Sequence, residues 1–179
     1  MKKIINTPET LVSEMLNGIA LAHPEVEYLQ KYNVIKRKEI NPDKVTLISG
    51  GGSGHEPAHA GFVGKGMLDA AVAGDIFASP SQIQIYQAIR ATASKKGTLL
   101  IIKNYSGDVM HFGSAAAMAG DDGIQVDMVK VDDDIAVLYV NGVALSVRMY
   151  RQPGTGISLY VTDGRLEILE SSISDRLKD

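Results

Sequence analysis

The chain has 179 residues, of which 45% are hydrophobic and 22% charged, and its formal net charge is −3. Such a length and composition are typical of one globular α/β domain with a core of its own. The weak negative charge gives no reason to expect a nucleic acid or an anionic membrane as a partner. Because the sequence contains no cysteine, disulfides, zinc–thiolate sites and thiol catalysis are excluded.

The sequence also lacks the marks of a membrane or secreted protein. No run of residues approaches the ~18 consecutive apolar residues that a membrane span needs. The first residues, MKKIINTPETL, include no apolar stretch of the signal-peptide kind and are interrupted at Pro8. We therefore expect a cytoplasmic protein that does not contact a membrane.

The first third of the chain predicts one helix and two strands. The segment Thr7–Thr10 is typical of a helix start, with Thr7 as the N-cap, and the apolar stripe that follows ends near His23–Pro24. Residues 33–37 and 44–49 predict short strands. The second strand runs directly into a glycine cluster at residues 50–54, which is a common way to build a ligand site in an α/β fold.

The middle of the chain repeats the order of strand, loop and helix. Residues 67–74, 98–102 and 124–131 predict strands, whereas residues 80–94 and 109–119 predict helices. Ser79 is the expected cap of the first of these helices, and its expected inward residues are Ile83, Ile85, Ala88 and Ile89. The repeated order predicts a parallel sheet with helices on its faces.

The last part of the chain has a different character. Short β-like runs at 135–140, 143–150, 157–161 and 166–169 are separated by Asn141-Gly142, Pro153-Gly154 and Asp163-Gly164. The first and last of these pairs are typical of hairpin turns. We therefore predict an α/β domain over residues 1–137 and a β-meander tail over residues 138–179, packed on the same domain.

Three predicted strands end in polar loops, at residues 50–59, 103–108 and 132–134. If the strands are neighbours, their carboxyl ends place these loops around one crevice. That crevice then contains a histidine, a lysine, an aspartate and backbone N–H groups. Such a set suits the removal of a proton from a small hydroxyl while an anion is held nearby.

Each of these features also has a purely structural interpretation. The glycine cluster matches neither the P-loop nor the dinucleotide fingerprint, so by itself it could be a tight turn. His55 could belong to a helix start, and Asp108 could cap the next helix. By contrast, Lys103 directly follows a buried strand, where a lysine needs a partner.

The remaining polar residues favour structural roles. His59 follows His55 by four residues, which would suit a metal pair on a helix, but no third ligand is evident. Packing beneath the loop is the favoured interpretation of His59, and the sequence predicts no metal site. The three aspartates at 132–134 favour an acidic turn over a magnesium site, and His23 and His111 favour surface or helix-flank positions.

Four stretches of the sequence, in this order and spacing, resemble the dihydroxyacetone kinase family over about residues 1–137. They are SGGGSGHEP at 49–57, AGFVGKGMLDAAVAGDIFASP at 60–80, LLIIKNYSGDVMHF at 99–112 and VDDDIAV at 131–137. The resemblance is to the substrate-binding subunit, DhaK, or to the first domain of the single-chain kinases. It implies a transferase of glycerol metabolism that positions dihydroxyacetone (glycerone) for phosphorylation.

The resemblance also implies roles for individual residues. Gly52, Ser53 and Gly54 of the glycine loop would bind the substrate, with a backbone contact from Gly52 and a hydrogen bond from His55. Lys103 and Asp108 would hold the hydroxyl that is phosphorylated. Asp108 would act as the general base, and His55 or Lys103 would steady the developing charge. The glycine loop is then part of a sugar pocket rather than a phosphate cradle.

The same resemblance implies that this chain binds no cofactor itself. ADP or ATP with magnesium would lie on a separate, all-helical DhaL-like subunit, which in the bacterial systems is recharged by a phosphotransferase-system protein, DhaM. The exposed strand edges of the tail are compatible with a homodimer or with a donor subunit, and the sequence does not choose between them.

The sequence departs from the family in one respect. The family's substrate subunit is considerably longer, and a later histidine in a GIHGEPG-like stretch binds the substrate carbonyl as a hemiaminal. These 179 residues contain no such stretch, and all 4 histidines lie at or before His111. We expect weaker selection of a ketose over other polyols. Two alternatives stay open: a non-catalytic dihydroxyacetone-binding sensor or coactivator, and a phosphotransferase-type protein phosphorylated on His55 or His59.

Overall fold

The computed structural model describes residues 5–131 and the backbone of four further strands at 135–140, 143–148, 159–162 and 165–168. The chain divides into two compact units, Met1–Lys130 and Val131–Asp179. The predicted domain boundary at residue 137 stays a prediction. None of the helices among the described residues is long and apolar enough to cross a membrane.

The first unit contains a six-stranded sheet and three helices. The helices are α1 (Leu11–Ala22), α2 (Gln82–Thr92) and α3 (Ser106–Asp121), with short 3-10 turns at Gln30–Tyr32 and Ala60–Phe62. The strands are β1 (Val26–Leu29), β2 (Val34–Arg37), β3 (Thr46–Ser53), β4 (Ala70–Ile76), β5 (Thr98–Lys103) and β6 (Val126–Val131).

The sheet has the strand order β1-β2-β4-β3-β5-β6. The central strand β3 is parallel to both β4 and β5, as the sequence predicts. The sheet as a whole is mixed, because β2 is antiparallel to both β1 and β4. Sequence reasoning missed β1. The α/β fold with helices on the sheet faces is confirmed.

Helices cover both faces of the sheet, and the strands alternate between the two cores. Val34, Ala70 and Val72 face a core that includes Phe112 of α3 and the buried face of α2. Their neighbours Ile35 and Ala71 face the opposite core, which is covered by α1. This period of two follows from the pleat of the strands, which points successive side chains to opposite faces.

The ends of the helices differ from the sequence prediction. Helix α1 begins at Leu11 with Thr10 as its N-cap, and the Thr7 hydroxyl accepts a hydrogen bond from the Thr10 N–H in the turn before it. Helix α2 is capped by Ser81, not Ser79, through a capping box with Gln84. Ser79 before Pro80 would also suit an N-cap, but Ser81 is selected because its hydroxyl and the Gln84 side chain cap each other's backbone N–H groups.

Two further details of the prediction for these helices are corrected. Ile83, predicted to face inward, is 45% exposed, because it lies two residues before Ile85 and so on the opposite side of α2 from the buried stripe of Ile85 and Ile89. Helix α3 begins at Ser106, which places Asp108 inside its first turn. The N-cap position belongs to Tyr105, so Asp108 does not cap α3.

Among the residues that the structure describes, the second unit has four strands in two antiparallel pairs. Strand β7 (Ile135–Val140) pairs with β8 (Val143–Arg148), and β9 (Leu159–Thr162) pairs with β10 (Arg165–Ile168). The β character predicted for this part of the chain is confirmed. The predicted acidic turn at 132–134, the predicted hairpin turns at 141–142 and 163–164, and the Pro153-Gly154 pair lie outside the described residues.

Candidate functional site

A cavity of about 270 Å³ opens at the carboxyl ends of β3, β4 and β5. It is lined by Gly52, His55, Phe77, Ser79, Lys103, Tyr105 and Asp108. Three separate segments of the chain therefore meet at one edge of the sheet, because the three strands run parallel. The volume falls just below the ~300–1,000 Å³ of pockets for drug-sized ligands, so it suits a small molecule of few heavy atoms.

Glycine is required in this wall because other chain segments pass very close to it. A Cβ on Gly51 would lie 2.5 Å from Nζ of Lys103, and one on Gly52 would lie 2.7 Å from the backbone nitrogen of Ala78. The sequence predicted that β3 ends before the glycines, whereas the strand continues through them to Ser53. The glycines therefore let the Lys103 side chain cross the strand and reach the cavity.

Ser53 and Gly54 lie in the same wall but do not line the cavity. The Ser53 hydroxyl is buried and donates a hydrogen bond to the carbonyl oxygen of Gly74, at 2.7 Å. Gly54 has φ +114°, and a Cβ there would lie 2.8 Å from the Phe77 ring. Its N–H donates to the Glu56 carboxylate, at 2.9 Å. Of the residues predicted to bind substrate, the structure thus brings Gly52, His55, Lys103 and Asp108 to the cavity.

Asp108 is the most unusual polar group of the cavity. The residue is 1% exposed, and its Oδ1 atom accepts no hydrogen bond from any described residue. Its Oδ2 atom lies 3.9 Å from Nζ of Lys103. The first turn of α3, where Asp108 lies, favours a negative charge because the helix N-terminus carries a partial positive charge. A buried carboxylate oxygen without a donor is costly, which makes it a candidate for contact with a ligand.

The His55 imidazole lies between two aromatic rings. The Tyr105 ring stacks against it with a centroid distance of 6.3 Å, and the Phe77 ring meets it edge-on at 5.7 Å. Both distances are within the range of favourable aromatic contacts. No described residue makes a hydrogen bond with the imidazole, which lines the cavity, so its ring nitrogens can bond a ligand or water there.

The second histidine of the loop, His59, lies beneath the glycine wall. Its Cε1 atom would be 3.0 Å from a Cβ on Gly51. Burial, the Lys103 ammonium and His55 lower the pKa of His59 to about 4, against a smaller opposing effect of Glu56. His59 is therefore neutral at pH 7, which agrees with the packing role that the sequence favours. Within residues 5–131, no group of three histidine, aspartate or glutamate side chains could hold a metal ion.

Sequence reasoning missed three residues that line the cavity, namely Phe77, Ser79 and Tyr105. Phe77 combines a positive φ of 52° with 73% exposure, which is rare for an aromatic residue and typical of functional sites. Its position three residues after the predicted strand at 67–74 was an available signal. Ser79 was assigned to a helix cap, whereas its hydroxyl oxygen lies 2.7 Å from the Cβ position of Gly107.

The other two histidines lie away from the cavity lining. His111 is half-buried on α3, and its Nδ1 atom lies 2.8 Å from the carbonyl oxygen of Pro80. This contact ties α3 to the segment before α2. His23 is exposed and lies beside Glu25. These positions agree with the surface and helix-flank roles predicted for them.

The profile of the Dak1 domain matches residues 17–144 of the chain. This chain belongs to the Dak1 family. The matched range contains every residue that lines the cavity. The family assignment thus covers the whole candidate site and confirms the resemblance seen in the sequence.

Individual relatives agree with the Dak1 assignment. The chain is 53% identical over 138 residues to the dihydroxyacetone-binding subunit DhaK of PTS-dependent dihydroxyacetone kinase 1 from Listeria innocua. The alignment covers 76% of this chain and 42% of that relative. The chain therefore spans less than half the length of this Dak1 relative.

Two solved structures have the same Dak1 fold. The dihydroxyacetone kinase from C. freundii, solved in complex with AMP-PNP and Mg²⁺, superposes with a TM-score of 0.71 at 46% identity, covering 74% of this chain and 26% of the kinase. The dihydroxyacetone kinase operon co-activator DhaQ superposes with a TM-score of 0.66 at 45% identity, covering 68% of this chain and 37% of the co-activator. The fold thus occurs both in a kinase and in a co-activator.

Proposed function

We propose that this Dak1 chain is the substrate-binding component of a dihydroxyacetone kinase and positions dihydroxyacetone for phosphoryl transfer from a separate subunit. The observation that carries this proposal is the buried Asp108 carboxylate, whose Oδ1 atom accepts no hydrogen bond from the described residues. A substrate hydroxyl is a donor that would satisfy this oxygen. The size of the cavity supports a ligand of few atoms.

The pair formed by Asp108 and Lys103 suits the chemistry of the transfer. Asp108 accepts the proton of the substrate hydroxyl. The hydroxyl oxygen attacks the phosphorus, and the bond from phosphorus to the leaving nucleotide breaks. The Lys103 ammonium, 3.9 Å from the carboxylate, faces the negative charge that gathers on the substrate oxygen and the phosphoryl group. Within a partly buried cavity this attraction is stronger than in water.

His55 and Gly52 complete the proposed site. The imidazole has a hydrogen-bond donor and an acceptor, which suits the carbonyl and the second hydroxyl of a short ketose. Gly52 offers its backbone at the cavity wall, where a side chain would collide with Ala78. All of these contacts are non-covalent, so we expect this chain to discriminate between a ketose and glycerol through hydrogen bonding alone.

We place the nucleotide on a partner subunit. The glycines of β3 are used in close packing, since a Cβ on Gly50 would lie 2.5 Å from the carbonyl oxygen of Val72. They therefore do not form the open nest of N–H groups that binds phosphates in P-loops. ADP or ATP with magnesium on a DhaL-like subunit is the donor that fits this arrangement.

The similarity to the co-activator DhaQ favours a second candidate, a non-catalytic dihydroxyacetone-binding regulator. Both candidates require a competent binding site, but only the kinase requires a base. Asp108 and Lys103 lie together in the cavity, and a ligand-binding regulator has no need of this pair. Their arrangement favours the kinase component.

The test begins with calorimetric titration of the chain with dihydroxyacetone, with glycerol as the control ligand. We expect saturable binding of the ketose that is lost in His55→Ala and retained at reduced affinity in Asp108→Asn. Addition of a DhaL-type subunit with ATP and magnesium should then give phosphorylated dihydroxyacetone. Binding without phosphorylation would favour the regulator, and absence of binding at millimolar ligand would contradict both candidates.

The same preparation also tests phosphorylation of a histidine. Incubation with a phosphohistidine donor, followed by intact-mass measurement, would add the mass of one phosphoryl group if His55 or His59 were the acceptor. The kinase proposal expects no such addition to the chain. Loss of a measured addition in His55→Ala, but not in His59→Gln, would identify the acceptor and contradict the kinase assignment.

A further inference from the structure

The side chain of Tyr105 contacts two charged or polar groups of the cavity at once. Its ring stacks on the His55 imidazole, with 26° between the planes. The Nζ atom of Lys103 lies 5.1 Å from the centroid of the same ring. Tyr105 is thus the described side chain that joins the loop after β3 to the lysine at the end of β5.

The position of Tyr105 in the fold is well defined. It is the N-cap residue of α3, in extended conformation, but its side chain makes no capping hydrogen bond. The side chain lines the cavity instead. Its 44% exposure shows that core packing does not explain the aromatic residue here.

His55 needs an external support of this kind. It lies on the exposed segment that follows the glycines, and no described residue makes a hydrogen bond with its ring. The Phe77 ring contacts the imidazole only edge-on, at an interplanar angle of 87°. An edge contact and a face contact together limit rotation of the imidazole, whereas either alone leaves one side open.

The position of the Lys103 ammonium also depends on the Tyr105 ring. The ammonium is attracted to Asp108 at 3.9 Å, which is longer than a direct charge-assisted hydrogen bond. A cation over the face of an aromatic ring is stabilised by the ring quadrupole. The Tyr105 ring therefore opposes a full collapse of Lys103 onto Asp108 and leaves the carboxylate accessible to a ligand.

We infer that Tyr105 is a positioning residue that uses the face of its ring to hold the His55 imidazole and the Lys103 ammonium in the arrangement that receives the substrate. This inference rests on the proposed function for its ligand, but its geometry belongs to the free protein. The aromatic ring is the essential feature, so phenylalanine should replace tyrosine and leucine should not.

The test compares Tyr105→Phe with Tyr105→Leu in the full chain. The first readout is the ¹H–¹³C spectrum of the imidazole groups without ligand, with the His55 signals assigned by their loss in His55→Ala. We expect Tyr105→Leu to move these signals toward those of an unfolded chain, while Tyr105→Phe leaves them in place. Tyr32→Leu is the matched control, because Lys31 lies over that ring at 5.3 Å and Tyr32 does not line the cavity.

The second readout is the dissociation constant of dihydroxyacetone. We expect a roughly five- to twentyfold increase for Tyr105→Leu and a change within about twofold for Tyr105→Phe, from the usual strengths of aromatic and cation–π contacts. Equal effects of the two variants on both readouts, or unmoved His55 signals in Tyr105→Leu, would overturn the inference. If the unaltered chain fails to bind dihydroxyacetone, the proposed function fails, while the spectra still decide the role of Tyr105.

Discussion

Two buried aspartates lie at opposite ends of the central parallel strands, Asp69 before the amino end of β4 and Asp108 after the carboxyl end of β5, and their surroundings differ. Asp69, just before β4, is 2% exposed and Asp108, in the first turn of α3, is 1% exposed. Asp69 accepts hydrogen bonds from Arg37 and from the N–H of Leu47, both at 2.9 Å, and Lys44 lies 3.9 Å away. The Oδ1 atom of Asp108 accepts none from the described residues.

The number of hydrogen bonds that each carboxylate accepts distinguishes a structural carboxylate from a functional one. Burial alone does not separate them, since both side chains are removed from water. A carboxylate whose oxygens are satisfied by the protein stabilises the fold and has nothing left to offer a ligand. A carboxylate left incompletely satisfied beside a cavity stores the free energy that a ligand can recover.

The largest expected effect is that of Asp108→Asn on phosphoryl transfer. Removal of the general base should lower kcat by about 10²- to 10⁴-fold, whereas the free energy of unfolding should change less than in the matching Asp69 variant, because Oδ1 of Asp108 loses no hydrogen bond and Nζ of Lys103 lies 3.9 Å from Oδ2. Steady-state kinetics with a DhaL-type donor and urea unfolding measure the two quantities. Full activity of the variant would remove the contrast between the two aspartates.

Asp69→Asn should have the opposite profile. Loss of the charge leaves the Arg37 guanidinium without its partner, so we expect the free energy of unfolding to fall by about 3 kcal/mol. The dissociation constant of dihydroxyacetone should stay within about twofold at a temperature where the variant is folded, because Asp69 lies at the amino end of β4 and the cavity at the carboxyl ends of the strands. An unchanged urea midpoint would show that the ion pair does not stabilise the fold.

Gly51→Ala tests the role of Lys103, the residue whose ammonium lies near the Asp108 carboxylate. The added methyl group would lie 2.5 Å from Nζ of Lys103, so the ammonium must leave its present position beside the carboxylate. We expect about a tenfold weaker binding of dihydroxyacetone, equivalent to about 1.4 kcal/mol. Gly64→Ala is the matched control, because a Cβ there meets nothing within 4 Å. Equal affinities of the two variants would contradict the proposed placement of Lys103.

The smallest effect concerns His59 and pH. Its pKa of about 4 in the folded chain lies below the ordinary histidine value of 6.5, so the unfolded chain binds more protons between these two pH values. This contribution to stability is fully present above pH 6.5 and is lost as the pH falls toward 4. Between pH 7 and pH 5 we expect a loss of about 1 kcal/mol from this group, reduced by its partial exposure to water.

The measurement for His59 is the urea midpoint of the unaltered chain and of His59→Gln at the two pH values. The variant should lose less stability on acidification, because glutamine does not titrate. Identical losses in the two proteins would show that the imidazole is not held neutral by its surroundings. His23→Gln is a suitable control, since that histidine is exposed.

Much of the fold follows from local pattern. The apolar run at 98–102 predicts β5, and the helical periodicity of 80–94 predicts α2, because the burial of apolar side chains dominates both elements. Caps were predicted less well. Ser79 and Ser81 both suit a helix start next to Pro80, and the choice of Ser81 depends on the contacts of Gln84.

The candidate site shows the same division. The residues His55, Lys103 and Asp108 follow glycines or a buried strand in the sequence, which made them visible. Tyr105 and Phe77 were missed because their importance lies in contacts with His55, which is distant from both in sequence. No local pattern records such a contact.

The elements, the glycine cluster and the chemical groups available to the site can be inferred from the sequence, because they depend on residue type and near neighbours. Only the tertiary structure decided which groups meet. The parallel pairing of β3 with β4 and β5 brings three loops to one edge, and it satisfies Asp69 while leaving Asp108 open to the cavity. Hydrogen-bond satisfaction depends on atoms that are far apart in the chain, and for that reason composition and periodicity do not reveal it.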